Sequence, residues 1–257
     1  MNTKQSFEKS KYKSTKHSSY FHVYDQLFDR FVGKKITFVE IGVLGGGSLF
    51  MWRNYFGPEA RIIGVDLNPG AKKWESYGFE IFIGSQDDEK FWDEFKLNVG
   101  NVDIILDDGG HTFSQQIITT NSLLDSINEG GLLVVEDTHT SYMLGFGSKK
   151  RSFIKYAFSR VHEINKRSYF LNNNDYNSGI ISVQFFESIV AFNINNKISN
   201  KEVTLVTNEG IDDNAKCHRY GSSYGSNLLS NIENFFIGRT KSSIIRHLGK
   251  YFKHLLS

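Results

Sequence analysis

The sequence predicts an α/β protein built on a doubly wound sheet of seven strands, mostly parallel with an antiparallel last strand. Two observations lead there. From residue 36 short runs of Val, Ile, Leu and Phe alternate with longer helical patterns, as expected where parallel strands are covered by helices on both faces. Past residue 179 two apolar runs, "IISVQFF" and "SIVAFNI", are separated by little more than Glu187. That gap is too short for a helical crossover, so the two pair antiparallel.

The elements follow in order. The N-terminal "MNTKQSFEKSKYKSTKHSS" is polar and lysine-rich, without the apolar stretch of a secretory signal. In "YFHVYDQLF", Tyr20 and Tyr24 stand four apart on one face of a helix, packed in the core or walling a site. Residues 1–35 therefore read as a helical leader. "ITFVEIG" is the first strand, "GGSLFMWRNYF" a helix, "RIIGVDLNP" the second strand, "FEIFIG" the third and "DDEKFWDEFKL" the next helix. "VDIILDD" is the fourth strand and "FSQQIITTNSLLDSINEGG" a helix, with Gly130-Gly131 read as its stop before the fifth strand, "LLVVEDTH". "RSFIKYAFSRVHEI" is a helix and "NNNDYNSG" a polar loop before the hairpin. Residues 36–195 thus form the main domain. Residues 196–257 begin irregular and polar. They end in "SSIIRHLGKYFKHLL", a basic amphipathic helix expected to dock on the same domain or on a second subunit of a homo-oligomer.

Composition narrows the function. The net charge of +2 does not suggest a nucleic-acid partner. No apolar run reaches the ~18–20 residues of a transmembrane helix. The lone cysteine, Cys217, has no internal disulfide partner, which fits a reducing, cytoplasmic location. The charge is uneven. Lys9, Lys11, Lys13 and Lys16 crowd one end, and Arg239, Lys241, Arg246, Lys250 and Lys253 the other. Such runs are solvated faces, or they meet phosphate groups, as an acceptor linked to a nucleotide would require.

Three clusters carry chemistry. Glu40 lies near the end of the first strand, followed by Gly42, Gly45, Gly46, Gly47 and Ser48 at a helix start. Glycines there permit a sharp turn and close approach of backbone to a ligand, and Asp66, about 20 residues on, ends the second strand where ribose hydroxyls bind. Loop and acid together suggest a nucleoside cofactor, but the glycine spacing is not that of a dinucleotide site. The plain alternative is a tight strand–helix turn. Asp107 and Asp108 end the fourth strand, Glu136 and Asp137 the fifth, and these ends are neighbours in the expected topology. Four converging carboxylates repel unless a cation or a cationic group sits among them, and all-carboxylate sets suit Mg²⁺ or Mn²⁺. The alternative is a set of solvated strand ends or helix caps. His111 opens the following helix, as a proton acceptor or as a cap.

Taken together, "EIGVLGGGSLFMW", "IIGVDLNP", "IFIGSQDD", "VDIILDDGGH" and "LLVVEDTHTSY" resemble class I S-adenosylmethionine-dependent methyltransferases. More narrowly they resemble the metal-dependent sugar O-methyltransferases that tailor macrolides, and their relatives in glycan pathways. The similarity covers roughly residues 10–195. It implies a Rossmann-like fold and a set of roles. Glu40, Gly42, Val43, Gly46, Gly47 and Ser48 would hold the methionine part of S-adenosylmethionine, and Asp66 the ribose. Relatives often carry an acid at the position of Ser85, so Gln86 takes the adenine contact. Asp107 would lie near the cofactor's amino group. Asp108, Glu136 and Asp137 would bind Mg²⁺ or Mn²⁺, and His111 would be the base. His139 and Tyr142 would meet the acceptor. Gly110 stands where relatives usually have Ser.

The expected function is methylation of a sugar hydroxyl, on a nucleotide-linked or glycan sugar in capsule-type surface polysaccharide synthesis. The alternatives are a catechol-like phenol or natural product as acceptor, or a non-catalytic cofactor-binding relative.

Overall fold

The computed structural model describes residues 1–167 and 178–211. Its centre is a sheet of seven strands: β1 (Thr37–Ile41), β2 (Arg61–Asp66), β3 (Glu80–Ile83), β4 (Val102–Asp107), β5 (Ile127–Val135), β6 (Ile180–Phe186) and β7 (Ile189–Ile194). Their order is β3-β2-β1-β4-β5-β7-β6. The first five pair in parallel, β7 runs antiparallel to β5, and β6 pairs antiparallel with β7. The expected sheet and its final hairpin are both present.

The described helices are α1 (Thr3–Glu8), α2 (Tyr20–Phe28), α3 (Gly47–Phe56), α4 (Glu89–Val99), α5 (Phe113–Leu123), α6 (Phe153–Lys166) and α7 (Asn196–Ser199). Alternate strand residues face opposite layers. Phe38 joins Tyr24, Phe28, Trp52 and Phe56 on one side, and Val39 joins Ile63, Trp92, Phe95 and Ile105 on the other. Burial on both faces explains why the strands read as continuous apolar runs. The direction of winding reverses between β1 and β4, and this opens a crevice at their carboxyl ends.

Gly130-Gly131 does not stop a helix. α5 ends at Leu123, a short 3₁₀ turn covers Leu124–Ser126, and β5 already begins at Ile127. Val102 pairs with Ile127 but Ile104 with Leu132, so β5 bulges between them. Gly130 supplies the positive φ of +80°. A Cβ on Gly131 would lie 2.6 Å from the Asp103 carbonyl oxygen. The glycine pair serves a bulge rather than a cap.

The leader has two helices, α1 and α2, joined by an irregular strap over residues 9–19. The chain divides into two compact units, Met1–Leu205 and Val206–Ser257. In the second unit residues 206–211 are exposed and in neither helix nor strand. The amphipathic C-terminal helix and Cys217 lie outside the described residues. Among the described residues no helix is long and apolar enough to cross a membrane.

Candidate active site

The glycine loop is shaped by close backbone approaches. Gly42 has φ +92°, and a Cβ on it would stand 2.1 Å from the Asp108 carbonyl oxygen. The end of β1 thus abuts the end of β4 with no room for a side chain. Gly46, at φ +74°, lies against the Trp74 ring, and a Cβ on Gly47 would be 2.4 Å from the Tyr12 carbonyl oxygen. Asp66 ties the loop from β2. Its Oδ2 accepts from the backbone N–H groups of Val43 at 2.9 Å and Leu44 at 2.8 Å.

These parts enclose a cavity of ≈ 820 Å³. Gly42, Val43, Gly47 and Ser48 form one wall, Asp66 and Ser85 another, and Asp108 and His111 a third. Tyr12, Lys13, Ser14 and Thr15 of the strap complete it. Glu40, Gly46 and Asp107 do not line it. Glu40 is fully buried behind Ser48, accepting from Ser48 Oγ at 2.8 Å and Trp52 Nε1 at 3.0 Å. Asp107 is buried beneath Gln86, which donates to it through Nε2 at 2.7 Å. Gln86 lines the cavity, but its amide is already engaged. Nε2 also reaches Thr119 Oγ1 at 3.2 Å, and Oε1 accepts from the Gly110 N–H at 2.7 Å. The side chain chosen for adenine works here as a tie between β3, β4 and α5. The same region accounts for Gly110: a Cβ there would lie 2.3 Å from Gln115 Oε1, so Gln115 fills the space a serine side chain would need.

Burial pushes the Glu40 carboxyl up to about 7. An acid whose folded pKa is raised takes up protons on folding, so stability is greatest below its unfolded value and declines as pH rises from 4.5 towards 7. Thermal unfolding of the cofactor-free protein across that window is expected to show the decline. Glu40→Gln should reduce the slope by at most about 1.4 kcal/mol per pH unit. An unchanged slope in the variant would place the effect elsewhere.

The carboxylates of β4 and β5 do converge, and a cationic group sits among them. Lys16 Nζ lies 2.6 Å from Asp108 Oδ2 and 2.9 Å from Glu136 Oε2. Burial alone would depress the Lys16 pKa, but the neighbouring carboxyl groups, Glu136 first and then Asp108, outweigh it and hold the ammonium charged. Lys16 therefore belongs neither to a solvated face nor to a phosphate contact. The leader tyrosines join the cluster: Tyr24 Oη donates to Glu136 Oε1 and Tyr20 Oη to Asp137 Oδ1, each at 2.5 Å. They pack in the core and wall the site at once.

On the outer side His111 Nε2 stands 3.3 Å from Asp137 Oδ2 and 4.0 Å from Asp108 Oδ1. One ligand atom from each of Asp108, His111 and Asp137 lies within 4.8 Å of the others. Burial pushes the Glu136 carboxyl up to about 8 even beside the ammonium, so three acidic groups share one positive charge here, and an oxygen-rich group of this kind suits a divalent ion. Backbone strain gathers here at His111, Asp137 and Ser188, and Leu44 adds it in the glycine loop. The positive-φ residues other than glycine, among those described, are Leu44, His111, Asp137 and Ser188. Ser188 bonds the His139 ring, which lies 3.9 Å from Asp137 Oδ1, while Tyr142 is largely exposed.

No protein-family model matches the chain. Over 82% of its length it superposes on the mycinamycin-pathway methyltransferase MycE, solved with Mg, S-adenosylhomocysteine and mycinamycin VI, with a TM-score of 0.65 and 23% identity over 54% of that chain. The chain has the class I methyltransferase fold.

In sequence, 132 residues are 36% identical to a Streptomyces olivaceus 3'-O-methyltransferase of a rhamnosyl tetracenomycin, and 133 are 32% identical to the mycinamicin VI 2''-O-methyltransferase of Micromonospora griseorubida. These matches cover 49% of this chain and 33% of each relative, so the chain spans about a third of the length of the curated relatives it matches. Within the methyltransferase fold, Lys16 and the roles of Tyr20 and Tyr24 were not identified as part of a carboxylate site by sequence reasoning. Their partners are 92 to 120 residues away, and only the chance that a cationic group, rather than an ion, meets the carboxylates pointed towards them.

Proposed function

We propose that this chain is an S-adenosylmethionine-dependent, divalent-metal-assisted O-methyltransferase acting on a hydroxyl of a sugar carried by a small molecule. One observation carries the reading. A single cavity joins the glycine loop and Asp66 at one end to Asp108 and His111 at the other. A cofactor held on the loop would therefore share a space with a base and an anionic cluster.

The residues divide the work. The backbone of Gly42, Val43, Gly47 and Ser48, which lines the cavity, would hold the cofactor's methionine end, and Asp66, which braces the loop, would meet the ribose. Asp108, Glu136 and Asp137 would hold Mg²⁺ or Mn²⁺, which supplies Lewis acidity that makes a poor hydroxyl nucleophile easier to deprotonate. His111 Nε2 accepts the hydroxyl proton. The Asp137 carboxylate, 3.3 Å away, stabilises the imidazolium that results. Tyr20 fixes the other Asp137 oxygen, so that carboxylate cannot swing away from the histidine.

The named relatives act on sugars of tetracenomycin and macrolide products, which favours a glycosylated small molecule over a nucleotide-linked or surface-polysaccharide sugar. Ligand-induced stabilisation tests the cofactor assignment. S-adenosylhomocysteine at 100 times its dissociation constant should stabilise the protein by about 2.7 kcal/mol, while NAD leaves the melting temperature unchanged. Stabilisation by NAD alone would defeat it.

A further inference from the structure

We infer that Lys16 is a positioning residue that makes the metal site and the N-terminal strap mutually exclusive: its ammonium and a divalent ion compete for Glu136 and Asp108. The inference rests on the metal assignment proposed above.

Lys16 is 2% exposed in its side chain, within 2.6 Å of one assigned ligand and 2.9 Å of another. Its Nζ also reaches the second Glu136 oxygen at 3.2 Å. Tyr24 closes Glu136 from a further side. As folded, Glu136 therefore points into the ammonium, and the oxygens of the assigned ligands not held by Lys16 or Tyr20 are Asp108 Oδ1 and Asp137 Oδ2, which lie beside His111 Nε2. A divalent ion that recruits Glu136 must displace the ammonium, because two cations sharing one carboxylate repel strongly where burial leaves little water between them.

Displacement has a consequence along the chain. Lys16 follows directly on residues 12–15, which wall the cofactor cavity. The strap is otherwise held there by Ser10 Oγ donating to the Gly47 carbonyl at 2.6 Å and by Tyr12 packed edge-on against Trp74 at 4.6 Å. Releasing Lys16 frees one end of this wall. Metal binding and closure of the wall thus oppose each other, and by linkage each weakens the other by the same factor.

The strap carries its own reporter, since Lys11, Lys13 and Lys16 are trypsin sites and the side chain of Lys16 is buried. Limited trypsin digestion of the full-length, cofactor-free protein during a Mn²⁺ titration, read by mass spectrometry, measures the release of Lys16. Mn²⁺ binding is followed in parallel by electron paramagnetic resonance on the wild type and on Lys16→Met. Cleavage after Lys16 is expected to accelerate as Mn²⁺ saturates, and Lys16→Met should bind Mn²⁺ ~10-fold or more tightly than the wild type. Mn²⁺ that binds the wild type without accelerating the cleavage, or with equal or weaker affinity in Lys16→Met, overturns the inference and leaves the metal site standing. Absence of Mn²⁺ binding in both proteins removes the metal assignment and the inference with it. If Lys16→Met does not fold, the wild-type digestion decides alone.

Discussion

Gly42→Ala is expected to cost the protein roughly 2–6 kcal/mol of stability and most of its cofactor affinity. Two penalties add. A non-glycine residue at φ +92° is strained by about 1–3 kcal/mol. The new methyl group would also stand 2.1 Å from the Asp108 carbonyl oxygen and 2.8 Å from its carbon, both backbone atoms that no rotamer change can move aside. Overpacking of that kind costs about 1–3 kcal/mol more. Relief requires the ends of β1 and β4 to separate, which widens the cavity wall where the cofactor would lie and shifts Asp108. In a chain of this size the loss lowers the melting temperature by roughly 5–20 °C. Gly33→Ala is the control. Gly33 has φ +72° with nothing within 4 Å of its would-be Cβ, so only the backbone penalty applies. Equal melting temperatures for the two variants would show that contact with Asp108 does not limit this loop.

His111→Asn is expected to lower kcat by about 10²–10⁴-fold, the usual contribution of a placed general base. Asparagine is chosen because it tolerates the left-handed backbone that His111 adopts at φ +59°. The cofactor's affinity should change far less than kcat, since the imidazole, although it lines the cavity, turns its Nε2 towards Asp137 and Asp108. A loss of S-adenosylhomocysteine binding without a change in kcat would make His111 a cofactor-binding group and leave the proton without an acceptor.

Much of the fold was legible because it is encoded by local pattern. Strands buried on both faces must be apolar throughout, so β1, β2, β4 and β5 stand out as runs of Val, Ile and Leu. The short gap at Glu187 settles the antiparallel hairpin by geometry alone. The acidic pairs were legible for a similar reason, since two carboxylates at the end of a buried strand are costly without a compensating cation. Gly130-Gly131 was misread because a helix stop and a β-bulge ask the same thing of glycine, a positive φ. Which applies depends on the pairing of Val102 and Ile104, which is not local.

Long-range electrostatics explains the remaining differences. In sequence Lys16 is one of several lysines in a polar leader, and nothing nearby separates it from Lys11 or Lys13. Its burial is decided by Asp108 and Glu136, 92 and 120 residues on. Gln86 illustrates the converse. Its position beside the cavity was legible, but the hydrogen bonds from Gly110 and to Asp107 and Thr119 that engage its amide come from other elements.

The central claim is that the clustered carboxylates serve a metal-assisted methyl transfer to a sugar hydroxyl. Its most direct test is release of S-adenosylhomocysteine from S-adenosylmethionine with a panel of acceptors: rhamnosylated small molecules, nucleotide-linked sugars, surface oligosaccharides and catechols. Each is assayed with Mg²⁺, with Mn²⁺ and with EDTA. Turnover is predicted on a glycosylated small molecule, abolished by EDTA and by Asp108→Ala and restored to the wild type by added metal. Turnover that survives EDTA would contradict the claim and make the carboxylates a seat for Lys16 and the acceptor alone.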